Sequence, residues 1–286
     1  MSSITPAVAT ILIIFGGLTI INGIRLALRI SFPCDSCLSV AWLFFAIFAT
    51  AELIGFPLAI WLLGLICFVA LREYLSLIDV RLQDRLAILG AYLSIPFMIY
   101  CIQVDWYGMF IISIPVYSFL AIPLLISLGG SQTKGTVYSI GAIDFGLFAF
   151  VFCIGHIGYL MLFNIWMAAL LILNVMICDS VWSLTDRLSK SKPSIIAMAL
   201  TPLPLTGLLN WLLIEYSEIP LVHALILAAL IPLLVIMGHH TGEFIKADLA
   251  MDSERLPPGR GDMLDNMKSL LFAGPVVFHY IYYFLR

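Results

Sequence analysis

The order of hydrophobic and polar residues divides the chain into long apolar runs separated by short polar segments. A helix crosses the hydrocarbon core of a bilayer with about 20 mostly apolar residues, and about 17 to 25 are tolerated. Candidate spans lie near 6–24, 38–54, 57–71, 86–103, 106–128, 142–162, 165–184, 195–213, 221–238 and 269–285. Very short turns join the runs within 38–71 and within 142–184, so the pattern predicts about eight to ten crossings. Because the runs are continuous and do not alternate, they favour helices over a transmembrane β-barrel.

The composition points to the same class of protein. Of the 286 residues, 62% are hydrophobic and only 11% are charged, and the mean hydropathy is +1.09. Soluble domains carry about 25% charged residues, so a water-soluble core with a polar shell is excluded. The net charge of −3 and the scarcity of Lys and Arg leave no basic patch for nucleic acid. The chain is therefore predicted to be one all-α, polytopic transmembrane domain over residues 1–286, without internal repeats.

Positive charges are distributed unevenly between the two sides of the predicted membrane. When the loops are numbered alternately, every Lys and Arg except Arg286 falls on one side. Asp105, Glu215 and Glu218 share the other side with Arg286. Cytoplasmic loops are enriched in Lys and Arg, so the basic side is predicted to be cytoplasmic and residues 1–5 to lie outside.

Two of the six cysteines form a C-x-x-C at the mouth of the second span. A zinc site would need a second pair of ligands, and no pair has suitable spacing. Cys34 and Cys37 are therefore predicted to be incidental thiols, kept reduced on the cytoplasmic side. Lipidation of a juxtamembrane cysteine is the alternative.

The segment 239–269 carries the densest collection of charged side chains. Its carboxylates and cations are Glu243, Asp248, Asp252, Glu254, Asp262, Asp265, Lys246, Arg255, Arg260 and Lys268. Hard divalent cations take carboxylate oxygens, and Lys or Arg neutralises phosphate, so this mixture suits a metal with a phosphate ligand. Residues 258–261 read as a turn that opens the final helix, and a helix N-terminus favours an anion. A solvated, charged loop is the plainer interpretation.

Ionisable residues elsewhere have structural explanations. Glu52 and Asp144 fall within apolar spans, where a charge is costly and often functional, but Glu52 is near a span end and Asp144 is predicted to cap a helix. His239 and Glu243 are one turn apart and could share a metal, although a hydrated interfacial pair is the favoured interpretation. His156 is predicted to be a buried, hydrogen-bonded histidine.

The last loop and its helix resemble the C-terminal signature of the phosphatidate cytidylyltransferase (CDP-diglyceride synthetase) family. The matching pieces are Lys246, Asp248, Asp252, 258–259, Gly261, Asp265 and 269–273, followed by 275–280. Upstream segments at 70–77, 106–108, 115–117, 155–156 and 179–181 resemble one bacterial branch of the same family. The similarity extends over about 70–286, in the order that the family has.

The resemblance implies a reaction and a set of residue roles. It implies transfer of a cytidylyl group from CTP to phosphatidate or a related lipid phosphate, with Mg²⁺, at the cytoplasmic face of a bacterial inner membrane. It leaves a homodimer open. The implied catalytic residues are Asp252 and Asp265. The implied metal ligands are Asp265, Asp252, Asp262 and Asp179. The implied phosphate- or substrate-binding residues are Lys246, Arg260, Arg187 and Ser269.

Several signature residues differ in this chain, which keeps a second function open. The signature's second carboxylate in D-R-x-D is replaced by Lys268, and Met251 stands where a Lys precedes the metal-binding Asp252. The S-P-x-K-T-x-E-G element expected after Asp179 is not found. An ammonium at 268 could fill one metal position and leave one Mg²⁺ site. The alternative is a non-catalytic relative that binds a lipid head group or a membrane partner.

Overall fold

The apolar runs fold into helices in a computed structural model that describes residues 5–29, 34–188, 194–249 and 262–286. Within these ranges the chain forms helices and no strand. The helices are α1 Pro6–Leu28, α2 Asp35–Leu53, α3 Phe56–Leu75, α4 Arg85–Gln103, α5 Tyr107–Ile112, α6 Phe119–Gly129, α7 Thr136–Leu147, α8 Ile154–Phe163, α9 Ile165–Leu188, α10 Ile195–Leu200, α11 Leu203–Leu212, α12 Ile214–Ser217, α13 Leu221–Asp248 and α14 Asp262–Leu285. The prediction of a polytopic helical protein is confirmed.

Some of these helices join end to end into longer spans. A π-helical turn at Ser113–Ser118 joins α5 to α6, and another at Phe148–Cys153 joins α7 to α8. In the described ranges, nine helical segments are long and apolar enough to cross a membrane: Pro6–Leu28, Asp35–Leu53, Phe56–Leu75, Leu82–Gln103, Tyr107–Gly129, Thr136–Phe163, Ile165–Leu188, Ile195–Leu212 and Leu221–Asp248. They make the chain an integral membrane protein.

The final helix, α14, lies antiparallel to α13 along its whole length. Near one end Lys246 Nζ lies 3.3 Å from Asp265 Oδ1, and near the other the His223 ring lies 2.8 Å from the Tyr280 hydroxyl. More polar residues make α14 less apolar than the nine spans, and it is not one of them.

In the described ranges, cationic residues other than Arg286 gather at one end of the helix bundle, called here the basic end. Contacts at this end join segments that the alternating loop numbering places on the same side, such as Arg81 and the Lys134 carbonyl at 2.7 Å. Arg286 lies at the opposite end, with its guanidinium 3.9 Å from the centre of the Phe163 ring. The charge asymmetry predicted from the sequence is therefore present in the arrangement of the described helices.

A buried ion pair secures the basic end. Asp84 is fully buried, and both of its carboxylate oxygens accept hydrogen bonds from the Arg81 guanidinium, at 2.8 and 3.0 Å. Ser139 donates a third hydrogen bond to Asp84 from α7. Because Arg81 also donates to backbone carbonyls at 132 and 134, this pair ties the start of α4 to the loop before α7.

The two cysteines at the start of α2 differ from the sequence prediction. Cys34 and Cys37 are joined by a disulfide, so the expectation of reduced thiols is corrected. The first helical turn brings their Cα atoms to 5.3 Å, which is within the range that a disulfide bridges. Both residues line the cleft described next.

Candidate functional site

A cleft of about 910 Å³ opens at the basic end of the bundle. Five separate helices line it: the start of α2, the end of α9, α10, and the facing surfaces of α13 and α14. Its polar and charged lining residues are Asp35, Ser36, Asp179, Ser183, Asp186, Arg187, His239, His240, Glu243, Asp265, Asn266 and Lys268. The chain folding thus collects side chains that are far apart in sequence into one charged space next to the membrane.

Asp179 is held at this cleft by two neighbours. Its Oδ1 accepts a 2.6 Å hydrogen bond from the Ser269 hydroxyl and lies 2.9 Å from His239 Nε2. The His239 ring stacks on Trp182, with centroids 4.2 Å apart and planes 7° apart. No side chain in the described ranges bonds Oδ2 of Asp179, so a fixed carboxylate presents one oxygen for another ligand.

A second group of charges forms an alternating square beside Asp179. The Lys268 ammonium lies 2.8 Å from Asp265 Oδ1 and 3.0 Å from Glu243 Oε1. The Lys246 ammonium lies 3.3 Å and 3.7 Å from the same two oxygens. These four residues, the charge square, therefore place two cations between two carboxylates.

The charge square fixes the protonation states of its members on α14. Burial alone would raise the pKa of Asp265, but the hydrogen bond and charge of Lys268, together with Lys246, outweigh burial and lower that pKa. Burial would likewise lower the pKa of Lys268, but hydrogen bonding to Asp265 and then to Glu243 raises it. Asp265 is therefore ionised and Lys268 charged at neutral pH.

Two glycines let α13 and α14 approach closely enough to build the charge square. A Cβ on Gly238 would lie 2.6 Å from the Lys268 carbonyl oxygen and 2.8 Å from the Ser269 Cα. A Cβ on Gly242 would lie 2.8 Å from Cδ of Lys268 and 3.0 Å from its Cβ. Small residues four apart permit such contact between membrane helices. The stem of Lys268 therefore lies directly over Gly242.

Glu73 tethers the start of α14 from the end of α3. Its Oε1 accepts a 2.9 Å hydrogen bond from the backbone N–H of Met263, the second residue of α14. The first turn of a helix has unpaired N–H groups, and a carboxylate is favourable there. Glu73 therefore positions the turn that carries Asp265.

The carboxylate oxygens of the cleft suit a divalent cation that takes some of its ligands from the substrate. In the described ranges no three His, Cys, Asp or Glu side chains converge into a complete metal cage. Mg²⁺ commonly uses one or two carboxylates, with waters and substrate phosphates completing its six ligands. The open Oδ2 of Asp179 fits that mode of binding, whereas Asp265 and Glu243 already have cationic partners.

The structure brings several of the predicted site residues together. Asp179, Asp265 and Arg187 line the cleft, and Lys246 contacts Asp265 beside it. Ser269 is buried, and the contact it makes is with Asp179; its binding of phosphate stays a prediction. Asp252, Arg260 and the side chain of Asp262 lie outside the described residues.

Sequence reasoning missed other residues of the site. His239 and Glu243 were considered together, but His239 bonds Asp179 while Glu243 bonds Lys268. Trp182 gave no signal of its own, and Glu73 lies in the family-like segment 70–77 but was assigned no role, because each acts through a partner distant in sequence. Gly238 and Gly242 did have a readable pattern, since their G-x-x-x-G spacing is typical of closely packed membrane helices.

Comparison with known proteins identifies the family to which the chain belongs. Residues 36–284 match the sequence model of the cytidylyltransferase family. The uncharacterized protein YnbB of Escherichia coli strain K12 is 28% identical over 237 residues, covering 77% of this chain and 78% of its own length. No solved structure matches the chain significantly. The family match contains Asp179 and the charge square, supports a cytidylyltransferase-type activity, and confirms the resemblance seen in the sequence. The chain belongs to the cytidylyltransferase family.

Proposed function

We propose that the protein transfers the cytidylyl group of CTP to a membrane lipid phosphate, making CDP-diacylglycerol when the acceptor is phosphatidate. One observation carries this proposal. A single cleft at the basic end joins Asp179 to the charge square, and both lie within the segment that matches the family. The cleft opens where a lipid head group in the membrane and a water-soluble nucleotide can meet.

The chemistry requires placement and charge neutralisation. A phosphate oxygen of the lipid attacks the α-phosphorus of CTP, a new P–O bond forms, and the bond to the bridging oxygen breaks with its electron pair leaving on pyrophosphate. Such transfers depend on positioned cations more than on covalent catalysis. In this proposal Lys268, Lys246, Arg187 and Arg260 neutralise the phosphates.

The proposed metal is Mg²⁺, with Asp179 as the ligand that the described geometry favours. Asp265, Asp252 and Asp262 stay the further ligands predicted from the resemblance. When bound, the cation would supply positive charge to the phosphate oxygens at the reacting phosphorus. Ser269 and His239 orient the Asp179 carboxylate toward the cleft.

The proposed location is the cytoplasmic face of a bacterial inner membrane. The support is the charge asymmetry, because the basic end is the side that the positive-inside rule assigns to the cytoplasm. CTP is made in the cytoplasm, so the cleft and its nucleotide would share a compartment. Association of two copies into a homodimer is part of the same family expectation.

One observation favours a second function, a non-catalytic relative that binds a lipid head group. Asp265 and Glu243 already pair with lysines, which reduces the carboxylate oxygens free for metal. Cationic side chains alone would suffice to hold an anionic head group at the membrane surface.

Reconstitution distinguishes the two functions. The full chain in proteoliposomes is given phosphatidate, Mg²⁺ and CTP labelled on its α-phosphorus, and lipid-bound label and released pyrophosphate are counted. The wild type is expected to form labelled lipid and pyrophosphate in equal amounts. Asp179→Asn should lose this activity. Gly207→Ala, whose added Cβ meets open space, should retain it. A folded wild-type protein that binds phosphatidate vesicles but forms neither product, with any lipid phosphate tested, would support the non-catalytic function.

A further inference from the structure

The Lys268 ammonium occupies the position between two carboxylates where a divalent cation would otherwise be expected. It lies within 3.0 Å of oxygens from both Asp265 and Glu243. Two metals commonly clamp the attacking and leaving oxygens of a displacement at phosphorus, and such metals are bridged by carboxylates. Here a covalently attached positive charge lies between two carboxylates.

The protein holds this ammonium in place through its stem. The Lys268 side chain is only 12% exposed, and its aliphatic carbons lie against the bare backbone of Gly242. A methyl group at 242 would lie within 3.0 Å of two of those carbons. A lysine on a surface loses side-chain entropy when it binds an anion, but this one has already lost it on folding.

The residues that the ammonium contacts belong to the cleft lining, because Asp265 and Glu243 both line it. Lys268 lines the same space as Asp179 and Arg187, while its carboxylate partner Glu243 has a side chain 57% exposed. An ammonium has three donors, and the structure engages two of them with Asp265 and Glu243. Among the described residues the third donor has no acceptor, which leaves it for a phosphate oxygen without breaking the charge square.

Building on the proposed function, we propose that Lys268 is a built-in cation for the triphosphate of CTP, replacing one of two divalent cations. One divalent cation per bound nucleotide then suffices, with Asp179 as its protein ligand. Gly242 is a positioning residue, because it determines where the ammonium lies. Lys268 is thus a binding residue, and Gly242 provides the packing that holds it.

The test counts metal ions and measures nucleotide affinity, without requiring turnover. The full chain in lipid nanodiscs is titrated with Mn²⁺ and α,β-methylene-CTP, whose α–β bridge cannot be cleaved. Bound Mn²⁺ per bound nucleotide is measured by electron paramagnetic resonance. The wild type should bind one Mn²⁺ per nucleotide. Lys268→Gln should bind the analogue about tenfold more weakly, the effect of losing about one charge-assisted hydrogen bond.

Two further variants sharpen the result. Lys268→Asp places a third carboxylate beside Asp265 and Glu243, and should bind a second Mn²⁺ per nucleotide. Gly242→Ala should weaken analogue binding in the same direction as Lys268→Gln, whereas the helical control Gly207→Ala should match the wild type. Melting temperatures establish that each variant is folded.

The outcomes separate this inference from the proposed function. Two Mn²⁺ per nucleotide in the wild type, or unchanged analogue affinity in a folded Lys268→Gln, would overturn the built-in cation while leaving cytidylyl transfer intact. Wild-type affinity in Gly242→Ala would overturn the positioning role alone. A wild type that binds the analogue as predicted but makes no CDP-lipid would overturn the proposed function and retain the cation. Absence of analogue binding would overturn both.

Discussion

The hydroxyl of Ser269 donates a 2.6 Å hydrogen bond to Asp179 across 90 residues of sequence. This contact couples α14 to α9 at the cleft and engages only the first oxygen of the carboxylate. Groups that orient a metal ligand contribute about 10- to 100-fold to metal affinity or activity. Ser269→Ala should therefore reduce CDP-lipid formation by about that factor, and raise the Mg²⁺ concentration needed for half-maximal rate.

The matched control for that variant is Ser127→Ala. Among the residues that the structure describes, Ser127 bonds only its own helix, at the Leu124 carbonyl, so its loss should leave both quantities unchanged. A Ser269→Ala protein with the wild-type Mg²⁺ requirement would contradict the orienting role.

Glu73 should matter through α14 and not through contact with substrate. Glu73→Ala leaves the Met263 N–H without its acceptor, and loss of a cap at a helix start costs about 0.5–2 kcal/mol. Turnover and melting temperature should both fall. Glu73→Gln keeps an amide oxygen and should restore most of both. Glu52→Ala, at the far end of α2, serves as the control, and failure of Gln to rescue would argue for a charge requirement instead.

The charge square predicts how stability depends on pH. The lowered pKa of Asp265 gives stability that is fully present above its ordinary value of 3.8 and is lost as pH falls through the folded value. The raised pKa of Lys268 gives stability that is present below 10.5 and is lost as pH rises through the folded value. The melting-temperature difference between wild type and Asp265→Asn should be constant near neutrality and shrink in acid. A difference that changes between pH 6 and 8 would contradict these assignments.

The Arg81–Asp84 pair should be required for stability but not for chemistry. Asp84 is fully buried, and removing one partner of a buried ion pair costs about 3–5 kcal/mol. Asp84→Ala should lower the melting temperature in detergent markedly. Because Arg81 and Asp84 lie outside the cleft lining, the protein that remains folded should keep its nucleotide affinity. A double-mutant cycle with Arg81→Ala should show strong coupling, and additive losses would contradict the pairing.

Sidedness can be tested by labelling single introduced cysteines in intact cells. Cysteine at 134 should react only after the membrane is made permeable, whereas cysteine at 218 should react from outside. The reason is the preference of Lys and Arg for the cytoplasmic side. The cysteines at 67, 101, 153 and 178 are buried, so background labelling is expected to be low. Reaction of both introduced positions from the same side would contradict the topology.

The fold was predictable because one physical signal dominates it. Apolar length fixes the number of spans, and the placement of Lys and Arg fixes which ends share a side. The ten candidate runs correspond closely to the observed helices, including the separate α2 and α3. The positions where helices break within a span depend on local backbone geometry, which the hydrophobic pattern shows less clearly. The two π-helical turns were not predicted from the sequence.

The site was predictable only where a charge cluster or a family motif marked it. Asp265 and Lys246 were found because they lie in one polar segment, and Asp179 because of the resemblance. The roles of Trp182 and Glu73 could not be predicted, although Glu73 lies in the family-like segment 70–77, since each role depends on a contact with a partner on another helix. The disulfide was missed because cysteines on the cytoplasmic side were expected to stay reduced. The short spacing of Cys34 and Cys37, which allows a disulfide, was given less weight.

Closure of the cleft by α14 has a consequence for biosynthesis. Asp179 emerges from the ribosome ninety residues before its partner Ser269, and Glu73 long before Met263. Helices made first can insert and pack while the remainder is still being translated. Until α14 has left the ribosome, the nascent protein holds its earlier spans without a completed charged cleft. The cleft would then be completed only after the helices α1 to α13 have been made.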